Sequence, residues 1–232
     1  MDIKLLGIIG SLGAVATGGG VYLAFKEKQT SVSISELFKQ EKGVKLMTAD
    51  DDDAKWNEAW IKYRDDHKIT GDTNYEDEDK WGISNWKEKR SGENAFEEFK
   101  QECHKRSKVV VKDTQTQEYK DVKKYCSRPK KVSELLAEEG SKSPLDKDKD
   151  TDLWNQSWKD YKKVNAESGD GSTVKYKATD TWNIPEWASK QKEGSAPSEY
   201  KTTCETKLNS YIVPDKAFED ETFKQVVSWC TK

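Results

Sequence analysis

The chain has 232 residues, of which 33% are hydrophobic and 36% charged, and its net charge of −3 is the small difference between 40 basic and 43 acidic side chains. Nucleic-acid-binding proteins usually present a basic face or stripe, whereas here Lys, Asp and Glu alternate along most of the chain. The composition therefore argues against nucleic acid as a partner, and the nine tryptophans must supply much of any core.

The first segment, residues 5–25, carries no charged side chain. As a helix it would span about 31 Å, close to the ~30 Å hydrocarbon core of a bilayer. We therefore predict a single-pass membrane anchor within residues 1–28. The alternative is a signal peptide cleaved near Ala14-Val15-Ala16, which would release a secreted protein. The anchor is favoured because the apolar run continues to Phe25.

Small residues fall on one stripe of this predicted anchor helix. Gly10, Ala14 and Gly18 are spaced by four residues, which would let two such helices approach closely. Glycine-rich apolar segments often show this spacing by chance. A homodimer through the anchor is therefore an open alternative that the sequence does not decide.

The remainder of the chain is a duplication. Aromatic and cysteine residues recur in the same order, first at an offset of 98 residues and then at 101 and 104. The offset changes only between matched blocks, as expected for a repeated module that has gained short loop insertions. We predict module 1 at residues 29–129 and module 2 at 130–232. Their predicted core is built on the pairs Trp56 and Trp154, Trp60 and Trp158, Tyr63 and Tyr161, Trp81 and Trp182, and Trp86 and Trp187.

The predicted fold class is all-α, with about four helices in each module. Trp56, Trp60 and Tyr63 are spaced as one apolar helical face, and module 2 repeats the pattern. Val109–Val111 could form a short strand, but it is interpreted as an extended loop because module 2 has no clear counterpart of that kind. The polar stretches 68–80 and 165–180 are interpreted as surface loops. Trp81, Trp86 and their counterparts lie in less regular segments and are candidates for an exposed stacking surface, although core positions are expected for them.

The four cysteines permit three disulfide pairings. The duplication selects Cys103 with Cys126 and Cys204 with Cys230, because only this pairing closes equivalent loops in both modules. Each bridge would contribute ~3 kcal/mol in the loop-entropy model. Such bridges imply an oxidising compartment, which would place both modules outside the cytoplasm. Four buried free thiols are the alternative interpretation.

No residue pattern indicates a catalytic, cofactor or metal site. Asp146, Asp148 and Asp150 resemble the start of a calcium loop, but the Gly and Glu that such a loop requires are missing. Acidic residues at this place are expected to stabilise the start of the following helix. The only histidines, His67 and His104, are both in module 1, so a histidine-dependent site repeated in both modules is excluded. We predict a protein that is not an enzyme and has no cofactor.

The stretch Gly10-Ser11-Leu12-Gly13-Ala14-Val15-Ala16-Thr17-Gly18-Gly19-Gly20-Val21-Tyr22-Leu23 resembles the N-terminal segment of the large paralogous protein families of haemotrophic mycoplasmas. The Lys-, Asp-, Glu- and Trp-rich remainder is similar to them in composition. The resemblance implies a wall-less bacterium, display at the cell surface and antigenic variation, and it implies no catalytic residue.

The sequence thus predicts a membrane-anchored, surface-displayed protein that acts as an adhesin or variable antigen and contacts a host protein. The alternative is an envelope scaffold or interaction module that contacts an envelope protein without direct host contact. Surface accessibility separates the two predictions.

Overall fold

The computed structural model describes residues 31–70, 74–169 and 173–232. The predicted anchor at residues 5–25 lies outside these ranges, together with its stripe of Gly10, Ala14 and Gly18. Within the described ranges no helix is long and apolar enough to cross a bilayer. Residues Ser31–Lys232 belong to one compact unit.

Module 1 surrounds one long helix with shorter helices and strands. Ser33 Oγ accepts a hydrogen bond from the Glu36 amide and starts the first helix, as expected for a serine N-cap. Thr116 caps a later helix in the same way. In chain order the elements are β1 (Val32–Ser33), α1 (Ile34–Phe38), β2 (Val44–Leu46), α2 (Asp53–Asp65), α3 (Trp86–Lys89), α4 (Glu97–Ser107), β3 (Val110–Val111), α5 (Gln117–Tyr125) and β4 (Ser127–Pro129).

Module 2 repeats this order with longer helices and fewer strands around its core. Its elements are α6 (Val132–Glu139), α7 (Thr151–Val164), β5 (Ala166–Ser168), β6 (Lys175–Tyr176), α8 (Trp187–Lys190), α9 (Ser198–Leu208), a 3₁₀ helix (Pro214–Glu219) and α10 (Glu221–Trp229). Helices α7 to α10 correspond to α2 to α5. Two isolated bridges, Lys131 with Tyr211 and Pro144 with Thr231, stand where module 1 has its β1–β3 and β2–β4 sheets.

The all-α prediction is wrong, because the described residues also form three small two-stranded antiparallel sheets. The stretch Val109–Val111, which we predicted to be an extended loop, includes β3, in which Val111 pairs with Val32 of β1. The polar stretch 165–180 includes the β5–β6 pair. These strands are two or three residues long. Such lengths are too short to show the alternating pattern by which a strand is recognised in a sequence.

Each module has its own hydrophobic core. One cluster of buried side chains runs from Ile34 to Cys126, and a second runs from Val132 to Cys230. Trp60 and Trp158, at the centres of the two long helices, are both fully buried. Aromatic rings pack edge-on around them, which suits cores that hold few aliphatic residues.

The aspartates before α2 and α7 fix the preceding turn. Asp51 Oδ2 accepts a hydrogen bond from the Thr48 amide at 2.8 Å, and Asp150 Oδ2 accepts one from the Asp146 amide at the same distance. Neither Asp52 nor Asp150, the N-cap residues, makes a side-chain capping hydrogen bond. Side-chain capping, one of the two ways in which these acids are expected to stabilise the helix start, is therefore absent. Asp53 and Asp152 lie in the first turns of α2 and α7, where a carboxylate interacts favourably with the helix dipole.

Candidate functional site

The structure contains the two disulfides that the duplication selected. Cys103 is bonded to Cys126 with a Cα–Cα distance of 5.4 Å, and Cys204 to Cys230 at 5.7 Å. Each joins a helix to the C-terminal end of the last helix of its module, α4 to the end of α5 and α9 to the end of α10. No free cysteine occurs in the described part of the chain.

The repeated tryptophans form an internal frame, and the indoles of Trp56, Trp60 and Trp86 make the same hydrogen bonds as those of Trp154, Trp158 and Trp187. The fourth pair differs, because the Trp182 indole donates to Gln225 whereas the buried Trp81 indole N–H has no hydrogen-bond partner among the described residues. The Trp56 indole donates to the Thr48 carbonyl at 3.1 Å, and Trp154 donates to the Asp146 carbonyl at 2.9 Å. Trp60 and Trp158 donate to the equivalent carbonyls of Gly92 and Glu193. All ten predicted core residues are buried, namely Trp56, Trp60, Tyr63, Trp81, Trp86, Trp154, Trp158, Tyr161, Trp182 and Trp187. They offer no exposed platform on which a sugar or a base could stack.

A buried tyrosine–aspartate pair orders the loop that follows each long helix. In module 1 the Tyr63 hydroxyl donates to Asp79 and accepts from the Trp81 amide at 3.0 Å. Burial, together with the hydrogen bond to Asp79, raises the pKa of Tyr63 above its ordinary value. Tyr161 and Asp180 repeat the arrangement in module 2. The perturbed tyrosines therefore serve a structural role common to both modules.

A groove of about 690 Å³ opens on module 1 between the segment before α2 and the outer face of α4. We call it the α4 groove. Its floor consists of Met47, Thr48, Ala49 and Trp56. Its other wall carries polar and basic side chains along α4 and just beyond it, namely Glu97, Lys100, Gln101, His104, Lys105 and Lys108. No sequence pattern singles out this set, since most of its members look like an ordinary solvated helix face.

The equivalent place in module 2 is crossed by an ion pair. Lys147, the counterpart of Ala49, places its ammonium 2.6 Å from a carboxylate oxygen of Glu205, the counterpart of His104. Lys201 adds a hydrogen bond to the Lys147 carbonyl at 3.2 Å. Module 1 lacks this crossing because a methyl group and an imidazole occupy the two positions. The duplicated frame is thus shared, whereas the groove is open on one module and bridged on the other.

A buried charge cluster joins the two modules. Arg128, 4% exposed, donates to Asp51 of module 1 and, at 2.8 Å, to both carboxylate oxygens of Glu134 in module 2. Lys45 lies 3.0 Å from Glu134. Burial acts to raise the pKa of Glu134, but the hydrogen bonds from Arg128, the Lys131 amide and Lys45 outweigh it and lower this pKa to about 2.

Backbone contacts continue this junction. The Lys130 amide donates to the Gly43 carbonyl, and the Ile212 amide donates to the Lys130 carbonyl, both at 3.0 Å. Gly43 also packs against the Pro214 backbone so closely that a Cβ would lie 2.0 Å from the Pro214 oxygen. The junction therefore combines charged side chains with backbone in close contact. The ring of Tyr211 adds to it, with its centroid 5.5 Å from the Arg128 guanidinium and its hydroxyl donating to Asp52 at 3.0 Å.

Within the described ranges, no cluster of three or more His, Cys, Asp or Glu residues is arranged to hold a metal ion. His67 is buried under Tyr63 and Trp86, and His104 lies at the α4 groove. The two histidines do not come together. No protein-family model, curated protein or solved structure matches the chain.

Proposed function

We propose that this protein is a membrane-anchored, outward-displayed binding protein without enzymatic activity, acting as an adhesin or variable antigen. The observation that carries the proposal is the contrast between the modules. Three of their four repeated tryptophan pairs keep the same indole hydrogen bonds, whereas the surface differs, with an open cleft on module 1 and an ion pair at the equivalent place on module 2. A frame that tolerates such surface change suits a displayed binding protein, because binding residues usually lie on segments positioned by a rigid scaffold.

The two disulfides support the extracytoplasmic part of the proposal. Structural disulfides persist in oxidising compartments and are rare in the cytosol of mesophiles. One bridge per module, at equivalent positions, fits a small domain with few aliphatic residues in its core.

A second candidate is an envelope scaffold that contacts another envelope protein. It is favoured by two exposed apolar side chains at the 3₁₀ helix of module 2, Val213 at 53% and Phe218 at 40% exposure. Exposed apolar residues of this kind suit contact with a partner protein when they lie together on a surface.

Limited trypsin treatment of intact cells tests the proposal. Outward display predicts rapid loss of the full-length band on gels, and a mobility shift on reduction in the untreated control. Protection in intact cells with digestion after lysis, and no shift on reduction, would refute an adhesin or antigen. Protection in intact cells with a clear shift on reduction would instead favour the scaffold.

A further inference from the structure

The α4 groove has the length of a site for an extended chain. Its α4 wall runs from Glu97 to Lys108, which corresponds to about 16 Å at 1.5 Å per residue. An extended segment of about five residues covers that distance at ~3.3 Å per residue. The groove is open to solvent along one side. Small-molecule sites usually bury about 70–90% of the ligand surface, so a half-open groove suits a peptide strand better.

The floor of the α4 groove is largely apolar. Met47 and Trp56 are 9% and 2% exposed, and Ala49 leaves the space above them open. The Trp56 indole N–H is already bonded to the Thr48 carbonyl, so the small part of its ring that reaches the groove is apolar, and the Lys100 ammonium lies 5.7 Å from the ring centroid. The methylene stems of the lysines on α4 extend this surface.

The wall along α4 is basic towards its C-terminal end in module 1 alone. His104, Lys105 and Lys108 stand where module 2 has Glu205, Thr206 and Asn209. The side chains of His104 and Lys108 make no ion pair or hydrogen bond to any described residue. Lys100 and Lys105 are paired with Asp53 at 3.0 Å and Glu102 at 3.1 Å. One member of each pair is exposed, Asp53 in the first and Lys105 in the second. Such ion pairs contribute little free energy, so a ligand carboxylate can take the place of Asp53 or Glu102 as the partner of the lysine.

The floor also offers backbone groups. The amide and carbonyl of Ala49 make no hydrogen bond to the described residues, and Ala49 is exposed. An extended ligand could pair with them as an added strand does, with its alternate side chains pointing to opposite sides. Glu97, the one acidic residue of the groove, lies at the end farthest from Lys108 and would repel a carboxylate only there.

We infer that the α4 groove binds an extended segment of a partner protein in which apolar and acidic side chains alternate. Apolar side chains would enter over Met47, Ala49 and Trp56, and carboxylates would face His104, Lys105 and Lys108. The inference rests on the proposed function, since it names the chemistry of the partner that such a binding protein would recognise.

The test uses the full-length chain with its disulfides formed and a fluorescein-labelled peptide of alternating leucine and glutamate. Binding is followed by fluorescence anisotropy. The closed variant carries Ala49→Lys and His104→Glu, which introduce the ion pair that module 2 already holds. We expect this variant to bind the peptide at least tenfold more weakly. Lys105→Thr with Lys108→Asn, again the residues of module 2, should weaken binding and reduce its dependence on salt.

The matched control carries Lys147→Ala and Glu205→His, which remove the ion pair from module 2 and leave the α4 groove unchanged. This variant should bind at least as well as the parent chain. A peptide of alternating leucine and lysine tests the charge, and a peptide of alternating serine and glutamate tests the apolar side chains. Each should bind at least tenfold more weakly than the leucine–glutamate peptide.

Failure of the leucine–glutamate peptide to bind, or equal binding by the closed variant or of the leucine–lysine peptide, would overturn the inference. Tighter binding of dodecanoate with the same dependence on the variants would also overturn it, in favour of a lipid ligand. None of these outcomes affects surface display, because trypsin accessibility on intact cells is measured independently of the groove.

Discussion

His67 and Asn165 occupy equivalent positions after α2 and α7, and they make the same two hydrogen bonds with different side chains. His67 Nδ1 lies 2.7 Å from the Tyr63 carbonyl oxygen, and the Lys80 amide donates to Nε2 at 2.9 Å. In module 2 the Asn165 side chain donates to the Tyr161 carbonyl at 2.9 Å and accepts from the Thr181 amide at 2.8 Å. Because Nε2 accepts, His67 is assigned as neutral with its proton on Nδ1. His67 is therefore a structural link between a helix end and the next loop.

Replacing His67 by asparagine should be tolerated, because module 2 already makes both bonds with a carboxamide. His67→Leu should lower the free energy of unfolding by about 1–3 kcal/mol, since a buried carbonyl and amide would lose their partners. Urea unfolding followed by tryptophan fluorescence measures both. Equal losses for the two variants would contradict the structural role assigned to the imidazole.

Gly43→Ala should destabilise the chain by about 1–3 kcal/mol, because the new Cβ would collide with the Pro214 backbone, which cannot move without disturbing the junction. Gly194→Ala is the control, since no atom lies within 4 Å of a Cβ at that position. It should change stability by less than about 0.5 kcal/mol. Thermal unfolding compares the two variants, and similar midpoints for both would show that the close approach of Gly43 and Pro214 is absent.

Stability should fall in acid partly through Glu134. Its pKa is about 2 in the folded protein, against an ordinary value of 4.5. A carboxyl group with a lowered pKa contributes stability that is full above the unfolded value and is lost as the pH falls through the folded value. In Glu134→Gln the unfolding midpoint should therefore depend less on pH between about pH 4.5 and pH 2 than it does in the parent chain. Superimposable pH profiles for the variant and the parent chain would refute this contribution.

Arg128→Met should cost about 3–5 kcal/mol, because it leaves the buried carboxylate of Asp51 without its cation. The double variant Arg128→Met with Asp51→Asn removes this pair of charges, keeps a side-chain oxygen that can accept from the Thr48 amide, leaves Glu134 paired with Lys45, and should recover part of this loss. Urea unfolding of the two variants measures the recovery. No recovery in the double variant would mean that the arginine acts through packing alone.

Removing either disulfide should cost ~3 kcal/mol, with similar losses for the two modules because the bridged residues are 23 and 26 positions apart. Cys103→Ser with Cys126→Ser, and Cys204→Ser with Cys230→Ser, test them one at a time. Urea unfolding of the parent chain with a reducing agent should reproduce the sum of the two losses. An unchanged urea midpoint on reduction would show that the bridges do not form in the isolated protein.

Much of the internal frame could be predicted from the sequence, because the buried aromatic and cysteine residues recur in the same order in both modules. The pairing of Cys103 with Cys126 follows from the repeat alone, since only equivalent loops can close in two copies of one fold. Trp56, Trp60 and Tyr63 define their helix by spacing, which is a local property of the chain. The pairing of the short strands could not be predicted from the sequence. Strands β1 and β3 pair across nearly 80 residues, and they are too short to carry a periodic signal.

The sequence by itself thus determined the repeat, the cysteine pairing and the aromatic residues that fill each module. Only the tertiary structure decided which charged residues are solvated. Arg128 and Lys130 look like surface residues in the sequence, yet they are 4% and 2% exposed because the two modules meet around them. The α4 groove was decided in the same way. Ala49 and His104 lie 55 positions apart, and their joint effect appears only when folding brings their segments to opposite sides of one cleft.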